Sequence, residues 1–374
     1  MAKIKLLIDA NPLVGNKSGV GHFTERLIDS LASSPDENLS IYAYYFNFLG
    51  LKKVVGLPQL DKIQYMEVKF LPSKLLSILH RFGLQLPLEL FLGFRQYDFM
   101  IFPNFVAIPS LRKTPYALAV HDMSFEDCPE YLSDSNRSYL HKFVRKSIRK
   151  SSLIITISNF TKQRITEFYS SEKLSDILVL PVPYEKNNMH DQAKTTVTNH
   201  IKKPFILYVG TIEPRKNIEG LVRGFAATPL EIRQKYDVVL AGNMGWKTKK
   251  IQEAIDQISN DITIIQTGYI NDADRNILYE RASLVCLLSH YEGFGMPILE
   301  AMSYKQKLLL SDIPVFKEIA GPKASYCNKD DIEDIASSIT NALKKPNQKI
   351  VLPDWSWPKN SKQLLSKIRI ILEK

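Results

Sequence analysis

Cysteine is scarce: Cys128, Cys286 and Cys327 are the only three in 374 residues. They are too few for a disulfide framework and show no metal-ligand spacing, so a stapled secreted scaffold and a cysteine-held metal site are both excluded. The compartment expected for such a chain is the reducing cytoplasm. Long hydrophobic runs are missing too. The longest, Leu84 to Phe94, is interrupted by Gln85, Pro87 and Glu89 and falls well short of a membrane span. The amino terminus goes from Met-Ala-Lys-Ile-Lys straight into a brief apolar strand, so no secretory signal is expected. No basic tail or arm stands out, although the formal net charge is +10: residues 1–186 hold 23 basic against 18 acidic side chains, and the remainder 26 against 21. That balance suits phosphate-rich partners, whether nucleic acid, an anionic membrane face or nucleotide substrates. A dinucleotide fingerprint is lacking as well. Ser18-Gly-Val-Gly-His22 would need a third glycine at position 24, where Thr24 stands, and a shorter loop after the strand.

What is present is a soluble globular composition, 45% hydrophobic and 24% charged, on a chain too long for one core. Two domains are expected, residues 1–186 and 204–352, joined by a polar, aperiodic linker at 187–203. Apolar runs at Ile4 to Ile8, Ile41 to Phe46, Ile63 to Phe70, Phe99 to Phe102, Tyr116 to Val120, Leu153 to Ile157 and Ile177 to Leu180 read as strands of the first domain. Phe205 to Val209, Val238 to Ala241, Ile262 to Gln266 and Leu284 to Leu288 read as strands of the second. Helical segments alternate with them, which implies parallel sheets with right-handed crossovers. The first strand ends at Asp9, its ligand-facing end. Tyr116 to Val120 ends at His121, where open α/β sheets bind ligands. Ser73 to Phe94 reads as an apolar helical segment broken by Gly83 and Pro87. Lys142, Arg145, Lys146, Arg149 and Lys150 share one helix face. That stripe admits two readings, a solvated surface or a docking face for anionic lipid.

The densest chemistry lies at Ser289-His-Tyr-Glu-Gly-Phe-Gly-Met-Pro-Ile-Leu-Glu300. Glu292 and Glu300 are carboxylates with seven residues between them, able to accept hydrogen bonds from sugar hydroxyls and a ribose diol. Gly293 and Gly295 let the backbone approach a ligand, and Pro297 suits the first turn of a helix whose N–H groups would face a phosphate. Glu300 is expected in that first turn. A second segment, Tyr208-Val-Gly-Thr-Ile-Glu-Pro-Arg-Lys-Asn217, sets Arg215 and Lys216 on a glycine-led turn between a strand and a helix, the place for an anion.

Together these two segments resemble the E-x7-E motif and the phosphate loop of the retaining family 4 glycosyltransferases, also called glycosyltransferase group 1. The resemblance extends with falling strength over nearly the whole chain. It implies the glycosyltransferase B architecture: two Rossmann-like domains facing across a cleft, with a C-terminal helix over 353–374 crossing back to the first domain. It implies catalytic roles for His121, Glu292, Lys216 and Arg215, with His121 against the donor sugar and Lys216 on the diphosphate. It carries donor binding to Gly19, Gly21, Thr211, Tyr269, Ile270, Gly293, Phe294, Gly295, Met296 and Glu300, the nucleobase meeting the backbone of Tyr269 and Ile270. Thr211 departs from the pattern, since many members have arginine there, and Arg215 stands in as the second cation. Lys305 and Lys307 replace a common glycine and proline beyond the expected site.

The reading is a hexosyltransferase acting with retention and without metal or cofactor, its donor a nucleotide diphosphate sugar. GDP-mannose is the first choice, as the phosphate loop looks most like that of bacterial mannosyltransferases of surface polysaccharide such as lipopolysaccharide. The acceptor would be a glycan or a polyprenyl-diphosphate-linked glycan, at the cytoplasmic membrane face. The alternatives are a UDP-hexose transferase of the same fold, a nucleotide-sugar epimerase, and a basic protein that binds nucleic acid or anionic membrane with a decayed sugar site; nucleic acid is not the expected partner.

Overall fold

The computed structural model describes residues 3–15, 18–54, 56–70, 86–184, 201–258, 262–346 and 351–374. The chain divides into two compact units, Met1–Pro183 with Trp355–Lys374, and Tyr184–Asp354. Most of the expected linker, and residues 71–85 of the expected helical segment, lie outside the described residues.

The first unit is built on seven parallel strands: β1 (Ile4–Asp9), β2 (Leu39–Phe46), β3 (Ile63–Val68), β4 (Phe99–Phe102), β5 (Tyr116–Ala119), β6 (Leu153–Thr156) and β7 (Asp176–Val179). Their order is β3-β2-β1-β4-β5-β6-β7. β4 and β6 are buried at every position, which is why their sequences, Phe-Met-Ile-Phe and Leu-Ile-Ile-Thr, run apolar instead of alternating. From β1 the chain first winds one way to β2 and β3, then crosses to β4 on the other side. The point between β1 and β4 is therefore where neighbouring crossovers part and leave a crevice at the carboxyl edge.

The second unit repeats the plan with β8 (Phe205–Val209), β9 (Asp237–Ala241), β10 (Ile264–Gly268), β11 (Leu284–Leu287), β12 (Leu308–Ser311) and β13 (Ser325–Cys327). Here the order is β10-β9-β8-β11-β12-β13, and the crossovers part between β8 and β11.

The C-terminal helix, Trp357–Leu372, belongs to the first unit. Its apolar face buries Trp357, Leu364, Leu365 and Ile368. It packs on the helix Gly19–Ala32, where Ser361 and Ser30 share a 2.9 Å hydrogen bond and the rings of Trp357 and Phe23 lie 5.7 Å apart. Asn360 Nδ2 donates to the Pro181 carbonyl at 2.8 Å, and Ser356 caps the first turn. Among the described residues no helix is long and apolar enough to cross a membrane. Cys128, Cys286 and Cys327 are all buried free thiols.

Candidate active site

The loop leaving β8 carries Gly210 to Lys216. It is tied to the loop leaving β9 by Ile212 N–H donating to the Asn243 carbonyl at 2.9 Å and Gly245 N–H donating to that of Ile212 at 2.8 Å. Gly242 sits in this junction at φ 152°, where a Cβ would stand 2.0 Å from the Gly210 carbonyl oxygen, so no other residue fits. Pro214–Lys216 then forms one 3-10 turn, and Asn217 caps the next helix by accepting from Gly220 N–H at 3.1 Å.

That turn meets the loop leaving β11 across the crossover point of the second sheet. His290 N–H donates to the Arg215 carbonyl at 2.8 Å. The Arg215 guanidinium forks between Glu213 Oε1, at 2.7 and 3.1 Å, and Glu292 Oε2, at 2.9 Å, and also donates to the Tyr291 carbonyl at 2.9 Å. Glu292 Oε1 accepts from Ser289 Oγ at 2.9 Å and from the Lys216 ammonium. Burial alone would raise the Glu292 carboxyl, but Lys216 and Arg215 beside it hold it down at about 2. Burial likewise lowers the Lys216 ammonium below the usual lysine value, opposed by the attraction of Glu292.

The cluster differs from the anion site expected in the sequence, where two cations wait for a diphosphate. Arg215 and Lys216 are already matched by Glu213 and Glu292, so the unliganded loop pair is charge-balanced. Four donor contacts fix Arg215 in place. Lys216, held by a flexible stem to one carboxylate oxygen, is the cation free to exchange partners. Ser289 and Glu213 belong to this cluster, and no local pattern marked them. Thr211 is exposed on the same loop, and Tyr208 Oη donates to its carbonyl at 2.9 Å.

Beyond Glu292 the chain turns through Gly293 and Gly295 into the helix Met296–Ser303, with Pro297 in its first turn and no side chain capping it. Gly295 lies at φ 113°, and a Cβ there would press to 3.0 Å on the Phe316 ring. Phe294 is buried at 4% exposure, so only its backbone is presented to a ligand. Glu300 falls in the second turn of the helix, not the first, because the helix begins at Met296. It is buried and already accepts a 2.7 Å hydrogen bond from Tyr279 Oη, with Arg275 Nε 3.9 Å from its other oxygen. Tyr279 is itself stacked on Tyr304 with ring centroids 5.8 Å apart. Tyr269 and Ile270 follow β10 on the same carboxyl edge, reached through the bridge between Gly242 and Gly268, and Tyr269 is 77% exposed.

The other expected residues lie in the first unit. Gly19 and Gly21 are not in a loop: both stand in the first turn of the helix Gly19–Ala32, where Ser18 caps by accepting from Gly21 N–H. His121 is buried between the rings of Phe23 and Phe105, with Nε2 2.7 Å from the Pro103 carbonyl. A carbonyl can only accept, so Nε2 carries the proton. Burial keeps the ring neutral by lowering its pKa, leaving Nδ1 as an acceptor. Asp122 caps the next turn by accepting from Ser124 N–H at 2.9 Å. On the basic helix Asp134–Lys150, Arg145 and Arg149 both pair with Glu172, so the stripe is partly neutralised. Among the described residues no three His, Cys, Asp or Glu side chains converge as a metal-ion site.

Two doubly wound parallel sheets, the second carrying a carboxylate and a mobile lysine at its crossover point, define a glycosyltransferase B fold. Its relatives agree. Sucrose-phosphate synthase from Thermosynechococcus elongatus superposes with a TM-score of 0.67 at 15% identity, covering 99% of this chain and 95% of that one. Residues 191–351 match the family of glycosyl transferases group 1, and the chain carries that domain on its second unit. Over 357 residues it is 26% identical to O-antigen chain mannosyltransferase B of Escherichia coli, covering 91% of each. It is 28% identical over 246 residues to O-antigen chain mannosyltransferase RfbU of Salmonella typhimurium, covering 64% of each.

Proposed function

We propose that this protein is a retaining, metal-independent family 4 hexosyltransferase that moves mannose from GDP-mannose to a glycan, or a polyprenyl-diphosphate-linked glycan, of a bacterial surface polysaccharide. The observation that carries the reading is Lys216 bonded to Glu292 beside the uncapped helix at Met296. A diphosphate arriving at the Gly293 to Met296 amides offers Lys216 a second anion. Lys216 turns to the diphosphate, while Arg215 and Ser289 keep Glu292 ionised and oriented toward the hydroxyls of the donor sugar. As the bond from C1 to the phosphate oxygen breaks, its electron pair stays on the leaving diphosphate, where the lysine and the amides stabilise it. The acceptor oxygen bonds to C1 on the face the phosphate leaves, and its proton passes to a phosphate oxygen. Two mannosyltransferases among the relatives support mannose as the transferred sugar. Cytoplasmic work at the membrane face follows from a polyprenyl-linked acceptor and the basic helix.

The test offers GDP-mannose and the UDP-hexoses, with and without a chelator, and reads released nucleotide and the anomeric configuration of the product. The expected result is GDP release from GDP-mannose, an axial product linkage and no loss on chelation. Glu292→Gln and Lys216→Ala each lower transfer about a hundredfold or more. Turnover of a UDP-hexose alone makes the protein a UDP-hexose transferase, and near-normal transfer by both variants sinks the site assignment.

A further inference from the structure

The first sheet has its own crossover point, between β1 and β4, and a cavity of about 460 Å³ opens there within the first unit. Its polar lining comes from Asp9 at the end of β1, Asn104 just past β4, Lys52, and Asn136 and Tyr139 on the helix Asp134–Lys150, with Phe105 among its apolar walls. We propose that this cavity binds an uncharged hexose ring, the terminal sugar of the acceptor. This role in transfer rests on the function proposed above; the binding itself does not.

Three observations converge on a built site. Volume and lining suit a small ligand: pockets that hold one are mostly apolar with a few placed polar groups and span roughly 300 to 1,000 Å³. Asp9 is only 8% exposed, yet it lines the cavity, its Oδ1 held by Asn11 N–H at 2.9 Å and Asn11 Nδ2 at 2.6 Å. Burial pushes its carboxyl up to about 6, so the fold keeps an acid where a neutral side chain would cost less. Phe105 is held at φ 52°, in the left-handed region that non-glycine residues avoid, and its ring meets that of His121 at 5.5 Å. Strain of this kind persists where surrounding structure maintains it for use.

The lining also chooses among ligands. Tyr139, its hydroxyl pushed up by burial and then by Asp9, remains a protonated donor. Asn104 and Asn136 each offer an amide with both donor and acceptor capacity, and Asp9 accepts only. That set matches vicinal hydroxyls over an aromatic wall. One lysine faces one carboxylate, so a phosphorylated sugar would meet Asp9 as a like charge without a surplus cation to offset it.

The experiment measures binding of methyl α-mannoside, methyl α-glucoside and mannose 6-phosphate to the full chain by ligand-observed NMR and calorimetry. A neutral methyl hexoside is expected to bind at least tenfold tighter than mannose 6-phosphate, and Tyr139→Phe and Asn104→Ala each to weaken it about fivefold or more while the Kd for GDP stays within twofold. In transfer assays the same variants raise the acceptor KM more than they lower kcat. Preference for the phosphorylated sugar, no neutral-sugar binding, or a loss confined to nucleotide affinity overturns the proposal. A protein that transfers no sugar but binds the hexoside through these residues fails only the function proposed above.

Discussion

Arg215 and Glu292, separated by 77 positions in the chain, meet through a 2.9 Å hydrogen bond from Nη1 to Oε2. The contact joins the loop after β8 to the loop after β11, the two places where the second sheet's crossovers part. Charge balance follows from it, since each cation of the turn finds a carboxylate before any ligand arrives.

The first prediction concerns acid stability. Glu292 is held at about 2 against an ordinary 4.5, so its contribution is complete above pH 4.5 and drains away as pH falls toward 2. The whole contribution is about 3 kcal/mol, with about 2 kcal/mol of it gone by pH 3. Urea unfolding at pH 5.5 and pH 3 should show the wild type losing that much more than Glu292→Gln. Equal losses in the two proteins would mean the carboxylate is not paired as seen.

Tyr279 is wholly buried and gives its hydroxyl to Glu300 at 2.7 Å. Tyr279→Phe leaves a buried carboxylate oxygen short of one donor, at a cost of roughly 1 to 3 kcal/mol. If Glu300 takes the ribose diol, the donor KM should rise severalfold while kcat changes less, as initial-rate kinetics over a donor titration would reveal. An unchanged KM beside a lowered melting temperature would make the pair purely structural.

Asp9 behaves in the opposite sense to Glu292. Its carboxyl is raised from 3.8 to about 6 by burial, so the folded state binds the proton more tightly, and stability falls as pH rises through that window. Asn11, Tyr44 and Tyr139, the groups beside it, stay neutral throughout. Asp9→Asn removes a cost of about 3 kcal/mol at pH 7.5 but only about 1 kcal/mol at pH 4.5. Denaturant midpoints should therefore show a gain that grows with pH, together with weaker acceptor binding. A gain independent of pH would contradict the buried ionised state.

Gly242 offers a test of the loop junction. A methyl group there collides with the Gly210 carbonyl, and φ 152° is strained for any L side chain. Gly242→Ala should cost about 2 kcal/mol or more and displace the phosphate loop. Calorimetry together with GDP affinity checks both. A variant of wild-type stability and affinity would show that the two loops are not locked.

Much of the fold was legible because parallel strands are buried on both faces and write themselves as apolar runs such as Phe-Met-Ile-Phe in β4 and Phe-Ile-Leu-Tyr-Val in β8. Strand ends, the glycines at 293 and 295 and the proline at 297 were readable for the same reason: each answers to backbone constraints within a few residues. The limits show at Glu300, assigned to the wrong turn because helix starts are read only to within a residue or two. They show again at Phe294, whose neighbours in the motif gave no sign that its ring turns into the core.

The sequence by itself determined that this protein has two doubly wound units, each with its ligand-facing edge, and that a carboxylate pair and a cationic turn serve the second. Tertiary structure alone decided that Arg215 is clamped while Lys216 can move, that Ser289 and Glu213 complete their cluster, and that Asp9 lines a cavity with Tyr139 from a distant helix. The reason is range. Propensity, capping and periodicity act over one or two turns, whereas those meetings depend on strand order, which brings residues 2 and 77 positions from Arg215 to the same guanidinium.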